Sequence, residues 1–410
     1  MHNMRLRQQP GFIALILSQS LGSFNDNLMR AAFLSLFLIN NPHSLIEGSI
    51  ASALIVLPSI FLPAIAARLS ERYGMINILQ WCKGIETVAV CTGLVGFTFH
   101  NTIISLSAIM LLGIQIALSS PSRYSIIPKV LPEPLWLRAN GILEAYSFIG
   151  ILIGTLIGSS IALSPHPITF LWILGAVALI IGIYSVLTMP KDIPDNTNIV
   201  IHASTIFRLR EDITHTFRIP KLPPYIYGVA WFWSIGLAVL TLLPPIIHDH
   251  LHGTPGNLTL LLTVFVLGMG IGSGIAPWFA KKLGLRNTVT GALSVMALAL
   301  FAAGYIHHIE GVSVAMLITA VAGGVFSVPI MTELQEHSPP QCRARVIGSM
   351  GAICSLAMVL LVITIGIMGK IHVPSHYILM LIAACNAIFA SQYYRILPKS
   401  IPCKHAEICS

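Results

Sequence analysis

The sequence predicts an all-α polytopic membrane protein, with twelve transmembrane helices in two repeated six-helix halves. Three observations carry that prediction. The chain of 410 residues is 55% hydrophobic and only 9% charged, with a mean hydropathy of +0.82; a soluble protein of this length carries roughly a quarter charged residues to solvate its surface. Twelve apolar stretches recur along it, each long enough to cross about 30 Å of hydrocarbon as a helix. Finally, the second half of the chain echoes the first.

The stretches fall at about 11–39, 46–67, 76–98, 102–120, 138–163, 168–188, 223–247, 258–279, 287–306, 311–331, 346–368 and 375–396. They are rich in Val, Ile and Gly, yet show no alternating period. In lipid, spans of this length satisfy their backbone only as helices. The first stretch follows Arg5 and Arg7 but has Asp26 in its middle, which makes it too long and too polar for a cleavable signal peptide.

The basic residues set the expected orientation. Of the 23 Lys and Arg, all but Arg30, Lys83 and Lys370 fall in segments that alternate onto the side of the N-terminus. The positive-inside rule therefore places both termini in the cytoplasm. The longest segment between spans, 191–222, holds five of these cations and reads as a solvated linker with an amphipathic turn near Ile206–Phe217. The expected organisation is an N-terminal half at 1–190, the linker at 191–222, a C-terminal half at 223–397 and a tail at 398–410.

The echo is specific. Glu71-Arg72-Tyr73-Gly74 after the second span matches Lys281-Lys282-Leu283-Gly284 after the eighth. Pro121 followed by Arg138-Ala139-Asn140-Gly141 matches Pro329 followed by Arg345-Val346-Ile347-Gly348. The steady offset of about 208 implies duplicated halves, an arrangement in which substrate binds at the interface near the bilayer midplane.

Polar residues inside the spans are the candidate chemistry, because an ionised group at membrane depth is costly. Asn25, Asp26 and Asn27 stand together in the first span, and Arg30 lies one turn on from Asp26, so the two can pair on one helix face. That pair reads either as a structural lock or as a cavity-facing site. Arg123, at the end of the fourth span, reads as a snorkelling anchor or as a partner for a buried acid. Glu144 lies two turns inside the fifth span, with Arg123 or Arg138 as its candidate partner. Lys83 and Glu86, one turn apart in the third span, read as a pair with each other.

Gly150, Gly154 and Gly158, with Gly268, Gly270, Gly272 and Gly274, have helix-packing spacing and read as contacts that let the halves rock. The seven cysteines form no C-x-x-C, which implies neither a disulfide framework nor a zinc site. His248-Asp249-His250-Leu251-His252 has metal-ligand composition but reads as an exposed polar turn. No basic face suits nucleic acid, no triad or metal cluster supports an enzyme, and no cofactor is implied.

The stretch AARLSERYG at 66–74 resembles the loop signature of the major facilitator superfamily, with Ala67 where that signature has Gly. The resemblance makes Glu71, Arg72 and Gly74 candidate elements of a conformational latch. Three further motifs narrow it. FNDN at 24–27 with Arg30, SPSRYSIIP at 120–128 with RANGILEA at 138–145, and VPIMTELQEHSPP at 328–340 with RARVIG at 343–348 resemble the lysophospholipid transporter family.

That resemblance implies a non-enzymatic flippase moving lysophosphatidylethanolamine-like lipids from the outer to the inner leaflet for reacylation, as a monomer. The family's membrane domain is fused in some members to an acyltransferase. With no H-x-x-x-x-D box in this sequence, the acylating partner is expected to be a separate protein. The resemblance also implies substrate contacts from Asn25, Asp26, Asn27, Arg30, Arg123, Asn140, Glu144, Glu333 and Gln335, and gating roles for Glu336, Arg343 and Arg345. The seventh span has Leu240 near the position where stand-alone members can carry an Arg. A carrier of another amphipathic or small solute is the alternative.

Overall fold

The computed structural model describes residue 6 and residues 11–40, 54, 57–162, 164–189 and 209–397. Among them are twelve long helices, numbered here in chain order: α1 (Phe12–Asn40), α2 (Pro58–Tyr73), α3 (Met75–Thr98), α4 (Thr102–Ser125), α5 (Trp136–Ala162), α6 (Pro167–Leu187), α7 (Leu222–Pro245), α8 (Pro255–Leu283), α9 (Leu285–Tyr305), α10 (Ile309–His337), α11 (Arg343–Lys370) and α12 (Ser375–Ile396). Ten of them are long and apolar enough to cross a membrane. α1 is interrupted by its polar run, and α2 is described for only 16 residues. The first part of the expected second span, 46–53, lies outside the described residues.

Most helices overrun the hydropathy windows, α8 by three residues at its start and four at its end and α10 by six at its end. Apolar windows stop at the first charges, whereas a helix continues into the interface, where Lys281, Lys282 and Glu333 keep their polar atoms solvated or bonded. The linker contributes a short helix, Leu209–Arg218, close to the amphipathic turn expected at 206–217; residues 190–208 lie outside the described set.

The repeat is visible in the backbone. Gly74 (φ 92°, ψ 146°) ends α2 and starts α3, and Gly284 (φ 76°, ψ 160°) does the same for α8 and α9. Each closes its preceding helix through its N–H, to the Ser70 carbonyl at 2.9 Å and the Ala280 carbonyl at 3.0 Å. Positive φ with extended ψ is essentially a glycine conformation, so a one-residue connection between antiparallel spans demands glycine at both equivalent sites.

Small residues set the helix pairs. A methyl at Gly150, Gly154 or Gly158 of α5 would overlap the carbonyl oxygen of Ser20, Phe24 or Leu28 respectively, so α1 and α5 run parallel in backbone contact. Gly268 and Gly272 of α8 meet α10 at Leu317–Val321 in the same manner, with Gly324 answering from α10. These glycines make the expected close helix contacts, most of them within each half. Gly270 alone of the α8 set faces the other half, at the Ala145 carbonyl and Phe148, and Gly274 faces open space. In lipid there is no hydrophobic force between helices, so this close packing holds each bundle together. Apolar cores fill the remainder, around Phe33, Leu94 and Phe97 in the first half and Tyr225, Phe326 and Tyr393 in the second.

Candidate functional site

One end of the bundle carries the N-terminus of α1, the α2–α3, α4–α5, α8–α9 and α10–α11 connections, the linker helix and the end of α12; with its Lys and Arg it is the basic face. The site residues named from sequence separate into two places, a charged interior in the first half and a seam between halves near the basic face.

In the interior, Asp26 is 5% exposed and its Oδ2 accepts from Arg123 Nη2 at 3.1 Å. The expected pairing with Arg30 is not formed. Arg30 donates instead to the Asn27 amide oxygen, and Asn27 donates to the Ser23 carbonyl at 2.7 Å. Arg30 is the exposed residue of this turn, whereas Asn25, Asp26 and Asn27 are buried. The reason lies in α4: the Arg123 backbone carbonyl is held by Gln19 Nε2 at 3.0 Å, and from there its long side chain runs into the bundle and reaches Asp26 before Arg30 does. Arg123 therefore does not snorkel to the basic face.

Asn25 donates to Glu86 Oε1, whose Oε2 is paired with Lys83 Nζ at 2.6 Å. The Lys83–Glu86 pair matches its expected partners and is buried: the two residues are 6% and 0% exposed. An ion pair at i, i+3 is legible from spacing; its burial is decided by Asn25, one residue before Asp26, turning toward α3. Among the described residues, Asp26 Oδ1 and Asn25 Oδ1 have no hydrogen-bond partner.

At the seam, Asn140 of α5 donates from Nδ2 to Gln335 Oε1 at 2.7 Å and to Thr332 Oγ1 at 3.0 Å on α10. Gln335 in turn donates to the Tyr124 carbonyl at 2.6 Å. Glu144 takes neither Arg123 nor Arg138; its Oε1 accepts from Ser327 Oγ of α10 at 2.8 Å. Arg138 is exposed, and Arg123 is committed to Asp26. Close approach is again secured by glycine: a Cβ on Gly141 would stand 2.7 Å from the Ser273 carbonyl, and one on Gly348 2.8 Å from the Pro63 carbonyl.

The gating residues form one cluster at this face. The Glu71 carboxylate accepts from Arg345 Nε at 2.8 Å and from the Arg345 backbone N–H at 3.1 Å, in the first turn of α11. The charge thus also meets the positive end of that helix. Beside it, Arg68 makes a two-pronged pair with Asp212 of the linker helix, at 2.7 and 3.1 Å. Arg343 donates to the Gln335 and Ser338 carbonyls and lies over the Trp136 ring. Arg72 sits over the Tyr73 ring, outside the bridge itself.

Glu336 is exposed and forms no ion pair among the described residues. Glu333 belongs to the second half: it accepts from the Tyr225 hydroxyl at 3.2 Å and lies 3.5 Å from His337. Leu240 is 41% exposed. His248 and Asp249 are exposed, as expected of that turn, while His250 stacks on His376 and meets the His307 ring at a tilt.

Sequence reasoning missed Gln115, Gln19, Ser327 and the Arg68–Asp212 pair. Gln115 alone left a signal, as the one amide in an otherwise apolar helix run. Among the described residues, every hydrogen bond and ion pair between the two halves lies in the half of the bundle toward the basic face. The bundle is thus latched at one end, with charged groups paired at depth in its first half.

Such an arrangement defines a polytopic membrane transporter. The chain belongs to the Major Facilitator Superfamily, whose family model matches residues 13–362. It is 25% identical to the lysophospholipid transporter LplT of Yersinia enterocolitica over 89% of this chain and 88% of that one, and 24% identical to the LplT of Escherichia coli over 80% of each. Its fold is similar to that of the fucose transporter FucP in the outward conformation, with a TM-score of 0.78 at 12% identity over 97% of this chain and all of that one. A bacterial homologue of the iron transporter ferroportin in its outward-facing state gives 0.73 at 15% identity over 96% and 99%.

Proposed function

We propose that the protein is a lysophospholipid flippase that takes its substrate from the outer leaflet of a bacterial inner membrane and delivers it to the inner leaflet by alternating access. In this reading the basic face is cytoplasmic, both termini lie there, and the latched state is open to the outside. The observation that carries it is Arg30, a cation on a membrane helix whose side chain has, among the described residues, only the neutral Asn27 amide as hydrogen-bond partner. A cation at that depth calls for an anion, and a lysolipid phosphate supplies one through charge-assisted hydrogen bonds. Asp26 stands one turn away on the same helix, with Oδ1 unbonded. Two groups about 5–6 Å apart at Cβ match the phosphate and ammonium of one ethanolamine head group. The acyl chain stays in lipid, so only the head group is transferred between solvation shells. The relatives named lysophospholipid transporter support the same substrate class.

The test is movement of labelled lysophosphatidylethanolamine across proteoliposome leaflets. Wild-type protein is expected to accelerate it, and Asp26→Asn and Arg30→Ala each to reduce it to the protein-free rate while the protein stays folded in the membrane, Asp26→Asn with a lowered Tm. Absence of lysolipid movement by the folded wild-type protein would favour a carrier of another solute. Transport retained in both variants would make these residues structural. Glu144→Gln is expected to keep at least about half the wild-type rate, because a glutamine Oε1 accepts the same Ser327 hydrogen bond and α5 and α10 stay joined. Loss of transport there would show that the Glu144 charge, and not its hydrogen bond, is used.

A further inference from the structure

Inside the first half, on the basic-face side of Asp26, lies a buried polar cavity. Its polar walls are Ser18 and Gln19 of α1, Lys83 of α3, and Gln115, Ser119 and Arg123 of α4. With a volume of about 10 Å3 it holds one water-sized occupant. Gln115 is 1% exposed, and neither its Nε2 nor its Oε1 has a hydrogen-bond partner among the described residues. Buried amides are nearly always bonded, so this one addresses something that is not protein.

The two cations of the wall, Lys83 and Arg123, give that occupant its sign, and the backbone beside the wall leaves both of them room. Gly22 follows Ser18 by one turn on α1, and a Cβ there would stand 3.4 Å from both Arg123 Nη2 and Lys83 Nζ. Two cationic nitrogens therefore approach a common point that a glycine keeps free of side chain. Gly182 likewise leaves 3.3 Å to Lys83 Nζ. The carboxylates that pair with these cations, Asp26 and Glu86, do not line the cavity.

We propose that this cavity binds a single small monovalent anion of chloride size, held between Lys83 and Arg123 with the Gln115 amide N–H donating to it. A cation is opposed by the Lys83 ammonium and the Arg123 guanidinium, and a tetrahedral oxyanion exceeds a single water-sized occupant. The anion braces Lys83 and Arg123, whose carboxylate partners lie outside the cavity lining. The site is separate from the head-group contacts at Arg30, and failure of the lysolipid reading leaves it intact.

The test is thermal unfolding of the purified full chain in sodium chloride against sodium gluconate at equal ionic strength. Chloride is expected to raise Tm saturably by roughly 2–4 °C, with bromide acting alike. In Gln115→Leu the chloride dependence is expected to vanish while Tm in gluconate stays near the wild-type value; Gly22→Ala, which fills the space between the cations, is the second variant. Equal Tm in the two salts at every concentration would show that the cavity holds water alone and overturn the proposal. So would a chloride shift that survives in Gln115→Leu, which would place the anion elsewhere.

Discussion

Asp26→Asn is expected to abolish lysolipid movement and to destabilise the fold, and the two losses are separable. Asp26 and Arg123 form a pair with side-chain exposures of 6% and 19%. Removing the carboxylate charge leaves a guanidinium buried in the first half without its counterion. Breaking a buried pair by changing one partner costs about 3–5 kcal/mol, because the remaining charge is uncompensated. Replacing both partners removes that penalty, since a neutral pair desolvates cheaply and keeps a hydrogen bond. The double variant Asp26→Asn with Arg123→Gln is therefore expected to recover most of the Tm lost in Asp26→Asn, yet to remain inactive because the head-group carboxylate is still missing. Recovery of transport together with stability would show that the pair does no more than hold α1 to α4.

How far the sequence carries toward this pair is instructive. FNDN and SPSRYSIIP locate both Asp26 and Arg123, because charged residues in an apolar chain stand out and persist only for a reason. Their pairing is not legible: on a single helix Arg30 is the better-placed partner for Asp26, and only the approach of α4 brings Arg123 within reach first. Glu144 repeats the lesson, since its partner Ser327 is a short hydroxyl with no signature among many serines. Lys83 and Glu86 show the converse, a pairing set by local spacing whose burial depends on Asn25 one helix away. Features of the backbone itself read out best. The Gly74 and Gly284 turns and the Gly150–Gly158 ladder are sites where a side chain cannot stand, so composition at one position carries the geometry. The helix ends read less well, because polar residues that finish a helix in the interface look the same as the beginning of a loop.

The basic-face latch carries the second large expectation. Glu71 is fully buried and holds α11 through two N–H donors of Arg345, one of them at the first turn of the helix. Charge-assisted bonds of this kind are roughly twice as strong as neutral ones, and a carboxylate at a helix N-terminus adds stabilisation of its own. Glu71→Gln keeps one acceptor and loses the charge, at a cost of about 1–2 kcal/mol to the closed state. If the halves exchange between two states, that cost multiplies the fraction open at this face by roughly 5–30. Cys342 reports it directly: it stands between α10 and α11, 7% exposed, beside Arg343. In a background with the other cysteines replaced by serine, maleimide labelling of Cys342 is expected to accelerate by that factor in Glu71→Gln. A further gain is expected when Asp212→Asn also releases the linker helix from Arg68. An unchanged labelling rate in Glu71→Gln would mean that the close contacts of Gly141 with α8 and Gly348 with α2 keep this face shut, leaving the ion pair a minor partner in closure.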